Sequence, residues 1–380
     1  MFAKLFMPEA TGRFQLPLGA YYITRAAHAL APIFLWLSAL ETRWVRARTE
    51  RPIIDRPVYI CGLARSGTTI VLEMLSQHPD AGSHRYIHAP VPYLPCWWGG
   101  VASKRRRVPP PVERMHKDGI MVSRYSPEAV EEPLWMVFFD GLHDEECSHI
   151  LDGHISNEAF EAFYRDHIRK LLLGQGRSRY VAKNNYLVSR TEYLLRVFPD
   201  ARFLVMIRNP VNHIASMLRQ NRIFEEVERT NPRTAKMIQL IGHYEFGNHR
   251  ICINVGDTDL VHKIRRLWSS NDHIQAWATY WASVYQFIAD RLRMNPALAS
   301  STLVVRHEDL VSNSSATLDQ IITHAQLPAD AFRPIRDRYV SKLSERKYYD
   351  ENFSEQELMD IVNITGPTAA RFGYPDGLGV

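Results

Sequence analysis

Short, nearly continuous apolar runs alternate along this chain with stretches whose apolar positions recur every three to four residues. Residues 57 to 61 (PVYIC) form one such run, which ends at Gly62 and leads into a helical pattern from about Thr68 to Gln77. That order predicts strand, loop, helix. Helical periodicity returns at Glu128 to Gly141 and Asn157 to Leu173, and Arg179 to Lys183 predicts a second strand. A helix is expected from Val188 to Phe198, where Pro199-Asp200 stops it. Arg202 to Ile207 (RFLVMI) is apolar at almost every position, as in a strand buried on both faces of a parallel sheet. Leu303 to Arg306 predicts a fourth strand ahead of a helix near Ala316 to Ala325. The alternation predicts an α/β fold: a doubly wound, mainly parallel sheet with helices on both faces and a helical cap or insertion.

Length adds an expectation about organisation. The 380 residues exceed the usual single domain, yet one sheet with an elaborated cap accommodates them. We expect a domain over residues 51–380 with insertions at about 84–127 and 223–272. The first of these is rich in Pro, Trp and basic residues, including Lys104-Arg105-Arg106-Arg107, and reads as surface loop. The second has an irregular pattern and is taken to cover the site. Ahead of the domain, residues 1–50 hold an apolar run from Ala27 to Leu40, bounded by Arg25 and Glu41. At roughly 15 residues it falls short of the ~20 that span a bilayer. Two readings stay open: a helix docked on the protein's own core, or an interfacial helix over residues 20–51 with Arg43, Arg46, Arg48 and Arg51 on anionic lipid.

Forty-six Lys and Arg against 41 Asp and Glu give a net charge of +5, which suits a small anionic ligand or an anionic membrane better than nucleic acid. Cys61, Cys96, Cys147 and Cys252 are far apart, with no CxxC pair. That spacing disfavours a zinc site or a disulfide framework, and the four read as buried thiols of a cytoplasmic protein, with membrane association resting on the N-terminal run alone.

Candidate chemistry begins with Gly62-Leu63-Ala64-Arg65-Ser66-Gly67-Thr68-Thr69. Placed between a strand and a helix, its backbone N–H groups and the positive helix end face one point and cradle an anion. The spacing is that of a nucleotide-triphosphate loop, GxxxxGK[ST], except that Thr68 stands at the lysine position and the cation has moved back to Arg65. RFLVMI ends in Arg208 where a magnesium-binding aspartate would be expected, and an arginine there suits a second phosphate. Ser216 follows about two turns into a helix begun by Asn209-Pro210. Two anion sites match a nucleotide phosphorylated at both its 5′ and 3′ ends.

At these residues the sequence resembles a known family. GLARSGTT looks like the 5′-phosphosulfate loop of sulfotransferases that use 3′-phosphoadenosine 5′-phosphosulfate (PAPS), and FLVMIRNPVNHIASM looks like their 3′-phosphate motif. The run from Lys183 to Asp200 resembles the bacterial and tyrosylprotein branches, and Val305-Arg306-His307-Glu308-Asp309-Leu310 resembles their V-x-Y-E-D-L segment. The resemblance implies PAPS as co-substrate with no metal required. Arg65, Ser66, Gly67, Thr68 and Thr69 would hold the 5′ end, Arg208 and Ser216 the 3′ end, and Lys183 would lie near the sulfonate.

The general base is less defined. Where the tyrosylprotein branch has a glutamate, this chain reads Ala81-Gly82-Ser83-His84-Arg85-Tyr86. His84 is one candidate, because imidazole titrates near neutrality. Glu132 or Glu131, in a segment resembling an acidic stretch of the bacterial branch, is preferred. Trp97, Trp98, Trp135, Phe138 and Phe139 are expected to cap the site, pointing to a small-molecule or lipid acceptor with an apolar or aromatic body. Trp277, Trp281, Val284 and Ile288 lie at helical spacing and read as core. Rival readings are a nucleotide-triphosphate-dependent kinase, which lacks its lysine at 68 and its acid at 208, and a non-catalytic membrane-associated nucleotide-binding protein. Oligomeric state and acceptor identity are not legible.

Overall fold

Seven strands form in chain order: β1 (Val58–Cys61), β2 (Ala81–Gly82), β3 (Val112–Glu113), β4 (Met121–Val122), β5 (Arg179–Lys183), β6 (Arg202–Ile207) and β7 (Thr302–Arg306). In this computed structural model the described residues are 18–47, 53–103, 110–114, 116, 118–344 and 353–375. Five strands make one sheet in the order β2-β5-β1-β6-β7, with every neighbouring pair parallel, while β3 and β4 form a separate antiparallel hairpin. The chain leaves β1 toward the β2 edge and later returns to build the β6 side. Such a change of direction opens a crevice at the carboxyl ends of the strands.

The sheet is covered on both faces, which explains the unbroken apolar runs. Val58 and Ile60 of β1, with Leu204 and Met206 of β6, pack under the helices Thr68–Leu75, Ser314–Ala325 and Ala329–Ser344. Tyr59 and Cys61, with Phe203, Val205 and Ile207, face the helices Glu158–Gln175, Pro210–Thr230 and His273–Met294. Successive strand residues point to opposite faces, so two cores demand apolar residues at every position.

Several expected elements shift. The helix placed at Glu128 to Gly141 spans only Glu132–Phe138, and that placed at Val188 to Phe198 divides into a 3-10 turn, Asn185–Ser189, and a helix, Thr191–Val197. The irregular stretch after Ile223 is largely helical: Pro210–Thr230 runs into it, and Pro232–Leu240 and Thr258–Ser269 follow. Asn231 and Asp257 cap these last two with their side chains, and both helices are clearly amphipathic, so reading the stretch as irregular overlooked a local signal that was there. The basic run at residues 104–107 lies outside the described residues, as do Arg48 and Arg51. Among the cysteines Cys61 and Cys252 are buried as expected, but Cys96 is half-buried and Cys147 exposed.

The five aromatics expected to cap the site belong elsewhere. Trp135 is fully buried against Phe160 and Tyr164, with Phe138 and Phe139 around the same cluster. Trp97 and Trp98 pack beside the N-terminal helices, Leu18–Ala29 and Ala31–Arg46. Those helices meet at an 85° bend, and no single described helix is long and apolar enough to cross a membrane. The second helix is tied down by a buried ion pair, Lys170 Nζ to Glu41 Oε2 at 3.0 Å, with neither side chain more than 2% exposed. Lys170 also donates to the Ser38 Oγ at 2.7 Å and its carbonyl at 3.0 Å, and Glu41 Oε1 accepts from the Trp97 N–H.

Removing one member of such a pair strands the other charge in a dry environment. Lys170→Met should lower the unfolding free energy by about 3–5 kcal/mol, and adding Glu41→Leu should restore most of it. Urea denaturation of the single and double variants checks this; equal losses in both would show that packing, not the charge, dominates.

Candidate active site

The loop after β1 is shaped by two glycines. Gly62 adopts φ +141°, and a Cβ there would stand 2.4 Å from the Met206 carbonyl oxygen of β6. Gly67, at φ +101°, precedes the first turn of the helix Thr68–Leu75, and its Cβ would meet the His307 ring at 2.8 Å. Arg65 between them takes a left-handed φ of +78°, costly for a residue with a side chain and confined to sites where surroundings enforce it.

The enforcing contacts come from two neighbouring helices. The Tyr285 hydroxyl accepts from the Leu63 N–H at 3.3 Å and donates to the Met206 carbonyl at 2.9 Å, so one oxygen fastens the loop to the end of β6. The His213 Nδ1 accepts from the Trp281 indole N–H at 3.1 Å, which leaves Nε2 to donate to the Ala64 carbonyl at 2.8 Å. Burial holds the His213 pKa down at about 3, in keeping with that neutral tautomer. Trp281 is thus core, as its spacing implied, and a support for the loop as well.

All four main strands bring a residue to one cavity of about 490 Å³ at their carboxyl ends. β1 supplies Arg65, Gly67, Thr68 and Thr69 through its loop; β5 ends in Lys183; Arg208 follows β6; His307 follows β7. Ser216 lies on the helix Pro210–Thr230, whose Asn209 cap accepts from the Val211 N–H, and receives a hydrogen bond from Arg65 Nε at 3.2 Å. Arg65 therefore joins the two expected anion sites into one continuous pocket. Ser66 is fully buried beneath the loop.

The preferred bases lie outside this cavity. Glu132 is clamped by Arg190, with Nη1 and Nη2 at 2.9 and 2.8 Å, and by Asn184 Nδ2 and His143 Nε2 at 2.6 and 2.8 Å. Burial would raise its carboxyl pKa, but the Arg190 and His143 charges outweigh that and hold it well below the usual range. Glu131 accepts from the Tyr164 and Tyr180 hydroxyls inside the core. His84 is buried as well, with its Nε2 3.0 Å from the His167 Nε2 and the rings stacked. Acidity and titration range are visible in a sequence; which side of a short helix faces the crevice is not.

Residues that sequence reasoning passed over fill the cavity instead. Glu128 lines it, with its backbone N–H bonded to the His84 carbonyl at 3.0 Å and Oε1 accepting from the Ala129 N–H at 2.8 Å. Glu245 accepts from Asn185 Nδ2 at 2.8 Å and lies 3.4 Å from His243 Nδ1. Burial opposes the His243 charge, yet Glu245 more than compensates and its pKa is raised. Lys183 has a lowered pKa: burial disfavours its charge, Arg114 and Arg65 add to this, and Glu128 and Glu245 act against it. From the β3–β4 hairpin, Asp118 pairs with Arg65 at 2.9 Å and with Arg114, whose Nη1 reaches Thr69 Oγ1 at 3.3 Å. A carboxylate thus already sits on the loop arginine. Apolar side chains line the same cavity, namely Ile120, Val130, Pro133, Phe224, Ile238 and Phe246, and Ile120 follows Asp118 on the hairpin itself. Nothing local in the sequence marks the hairpin or the segment around His243, because the fold brings them in from far along the chain.

A glycine-bent loop at the carboxyl edge of a parallel sheet, with Arg65, Lys183 and Arg208 lining one cavity there, defines an α/β protein with a charged crevice at that edge. The chain belongs to the sulfotransferase family, whose model matches residues 57–252, a span that includes the loop, Lys183, Arg208 and Ser216. Among solved structures it is similar to sulfotransferase STF9 from Mycobacterium avium, with 13% identity over 84% of this chain and 78% of that one, at a TM-score of 0.50. Sulfotransferase STF1 from Mycobacterium tuberculosis gives 15% identity over 92% and 81%, at a TM-score of 0.44. At such identities the likeness concerns the fold. No curated protein sequence matches the chain.

The Glu131 carboxyl gives a pH prediction. Burial raises its pKa from 4.5 to about 7, although the Tyr180 and Tyr164 hydroxyls oppose that. A raised carboxyl pKa means stability that is complete below the unfolded value and is lost as pH climbs through the folded one. Between pH 4.5 and 7 the stability difference between wild type and Glu131→Gln should move toward the variant by about 3 kcal/mol. Chemical denaturation across that range measures it, and a difference independent of pH would refute the assignment.

Proposed function

We propose that the protein transfers the sulfonate of PAPS to a hydroxyl or amine on an acceptor with an apolar body. The observation that carries this reading is that a single cavity holds Arg65, Lys183, Arg208 and Glu128 together with apolar side chains such as Ile238 and Phe246. The cations suit a doubly phosphorylated nucleotide, and the apolar side chains suit an uncharged skeleton, lipid-like or aromatic. The fit is supported by the glycine cradle, by the helix opening at Thr68, and by the buried Asn185 Oδ1, which has no hydrogen-bond partner and lies at the cavity wall.

In this reading Arg65 and the backbone N–H groups of residues 67–69 hold the 5′-phosphate, and Arg208 with Ser216 holds the 3′-phosphate, while the Ser66 N–H closes the loop on the Leu63 carbonyl. Asp118 gives up its place on Arg65 as the phosphate arrives. The acceptor oxygen or nitrogen forms the new bond to sulfur while the bond from sulfur to the 5′-phosphate oxygen breaks. The acceptor proton passes to the Glu128 carboxylate, and Lys183 offsets negative charge gathering on the departing oxygen. Products are the sulfated acceptor and adenosine 3′,5′-bisphosphate, so atoms and charges balance without a metal.

Labelled sulfonate transfer from PAPS into apolar extracts, followed by mass spectrometry of the product, tests the reaction. Glu128→Gln should cut kcat by roughly 10²–10⁴-fold while leaving donor affinity in place. Retained activity in that variant would remove Glu128 from the base role. If no acceptor is labelled although PAPS binds, the non-catalytic reading takes over.

A further inference from the structure

The two N-terminal helices bury Tyr21, Ala27 and Ala31 and pack Phe34, Leu35 and Leu37 on the domain, yet they also leave several large apolar side chains exposed. On Ala31–Arg46 the buried residues are Ala31, Ser38, Glu41 and Thr42, whereas Ile33 and Trp36 are 51% and 62% exposed. On Leu18–Ala29 the exposed positions include Leu18 and Tyr22, at 52% and 55%, and Leu30 at the bend is 46% exposed. A soluble surface helix turns its apolar stripe inward and its charges outward. Here the one acid of residues 18–47, Glu41, is spent inside on Lys170, so exposed charge on the pair is positive: Arg25 and Arg43, with Arg46 neutralised by Asp166 at 2.8 Å. Lys236, exposed on the adjoining helix Pro232–Leu240, adds to that sign.

We propose that this face docks the protein on an anionic lipid bilayer. Tryptophan and tyrosine among aliphatic side chains, with arginine at the margins, match the depth profile of a membrane interface, where aromatic rings sit at headgroup level and cations meet anionic lipid. The pair has the length and composition of a span only when its two helices are taken together across the 85° bend, and the buried ion pair that fastens the second helix to the domain favours lying in the interface. The position also suits the proposed reaction, on which this one clause rests: Leu18–Ala29 packs on Pro232–Leu240, and Ile238 of that helix lines the cavity.

Flotation of the full chain with vesicles tests the docking without any sulfonate donor, so its outcome is separate from that of the proposed reaction. Wild type should float with vesicles of phosphatidylcholine and phosphatidylglycerol in equal parts, weakly with phosphatidylcholine alone, and less at high salt. Ile33→Ser with Trp36→Ser should lower the bound fraction ~10-fold. Arg25→Glu with Arg43→Glu provides a second variant at exposed sites, expected to lose the preference for anionic vesicles. Unchanged thermal midpoints would confirm that both fold. Wild type that stays unbound, or variants that bind as well as wild type, would overturn the proposal. So would sedimentation showing a dimer that the Ile33→Ser, Trp36→Ser variant dissolves, since a second copy would then cover the face.

Discussion

The close approach of the loop after β1 to the end of β6 is the constraint on which the site depends. Gly62 lets the chain turn within contact of the Met206 carbonyl, and the Tyr285 hydroxyl bonds to both sides of that contact. Once the loop is held there, Arg65 is forced into a left-handed conformation beside Ser216. His213, oriented by Trp281, secures the next carbonyl along. The anion cradle is therefore a product of tertiary packing, in which a buried aromatic helix behind the sheet fixes backbone geometry in front of it.

Electrostatics of the cavity follow from the same arrangement. Parallel strands deliver their final residues to one edge, so cations following three different strands, at Arg65, Lys183 and Arg208, share a small enclosed volume. Such a cluster is unfavourable unless acids relieve it. Asp118 and Glu245 do so, and burial would raise either carboxyl, yet the neighbouring cations keep both lowered. The cations and acids that line the cavity are near balance, and apolar side chains line it beside them, a mixture suited to both charged and uncharged groups.

What the sequence revealed divides by range. The sheet was legible because burial on both faces writes an unbroken apolar run, as RFLVMI does, and the loop because glycine spacing and a following helix leave a local mark. The lining that comes from far away left none. Arg114 and Asp118 lie in the connection of a hairpin whose strands are two residues each, and His243 and Glu245 on a connection between helices, with no periodic pattern to announce them. Glu131 and Glu132 were attractive as acids near a helix start, but Tyr164, Tyr180 and Arg190 draw them into the core, leaving Glu128 at the cavity. Likewise the five aromatics around Trp135 were read as a cap when they pack against the N-terminal helices and the helix Glu158–Gln175.

The central claim is that one pocket grips both phosphates of an adenosine bisphosphate, through Arg65 on the loop and Arg208 beyond β6. Isothermal titration with adenosine 3′,5′-bisphosphate is its most direct test. Saturable binding to the wild type, weakened roughly 100-fold or more in the Arg65→Ala, Arg208→Ala double variant, is the predicted result. No measurable heat with the wild type, or equal affinity in the double variant, would contradict it.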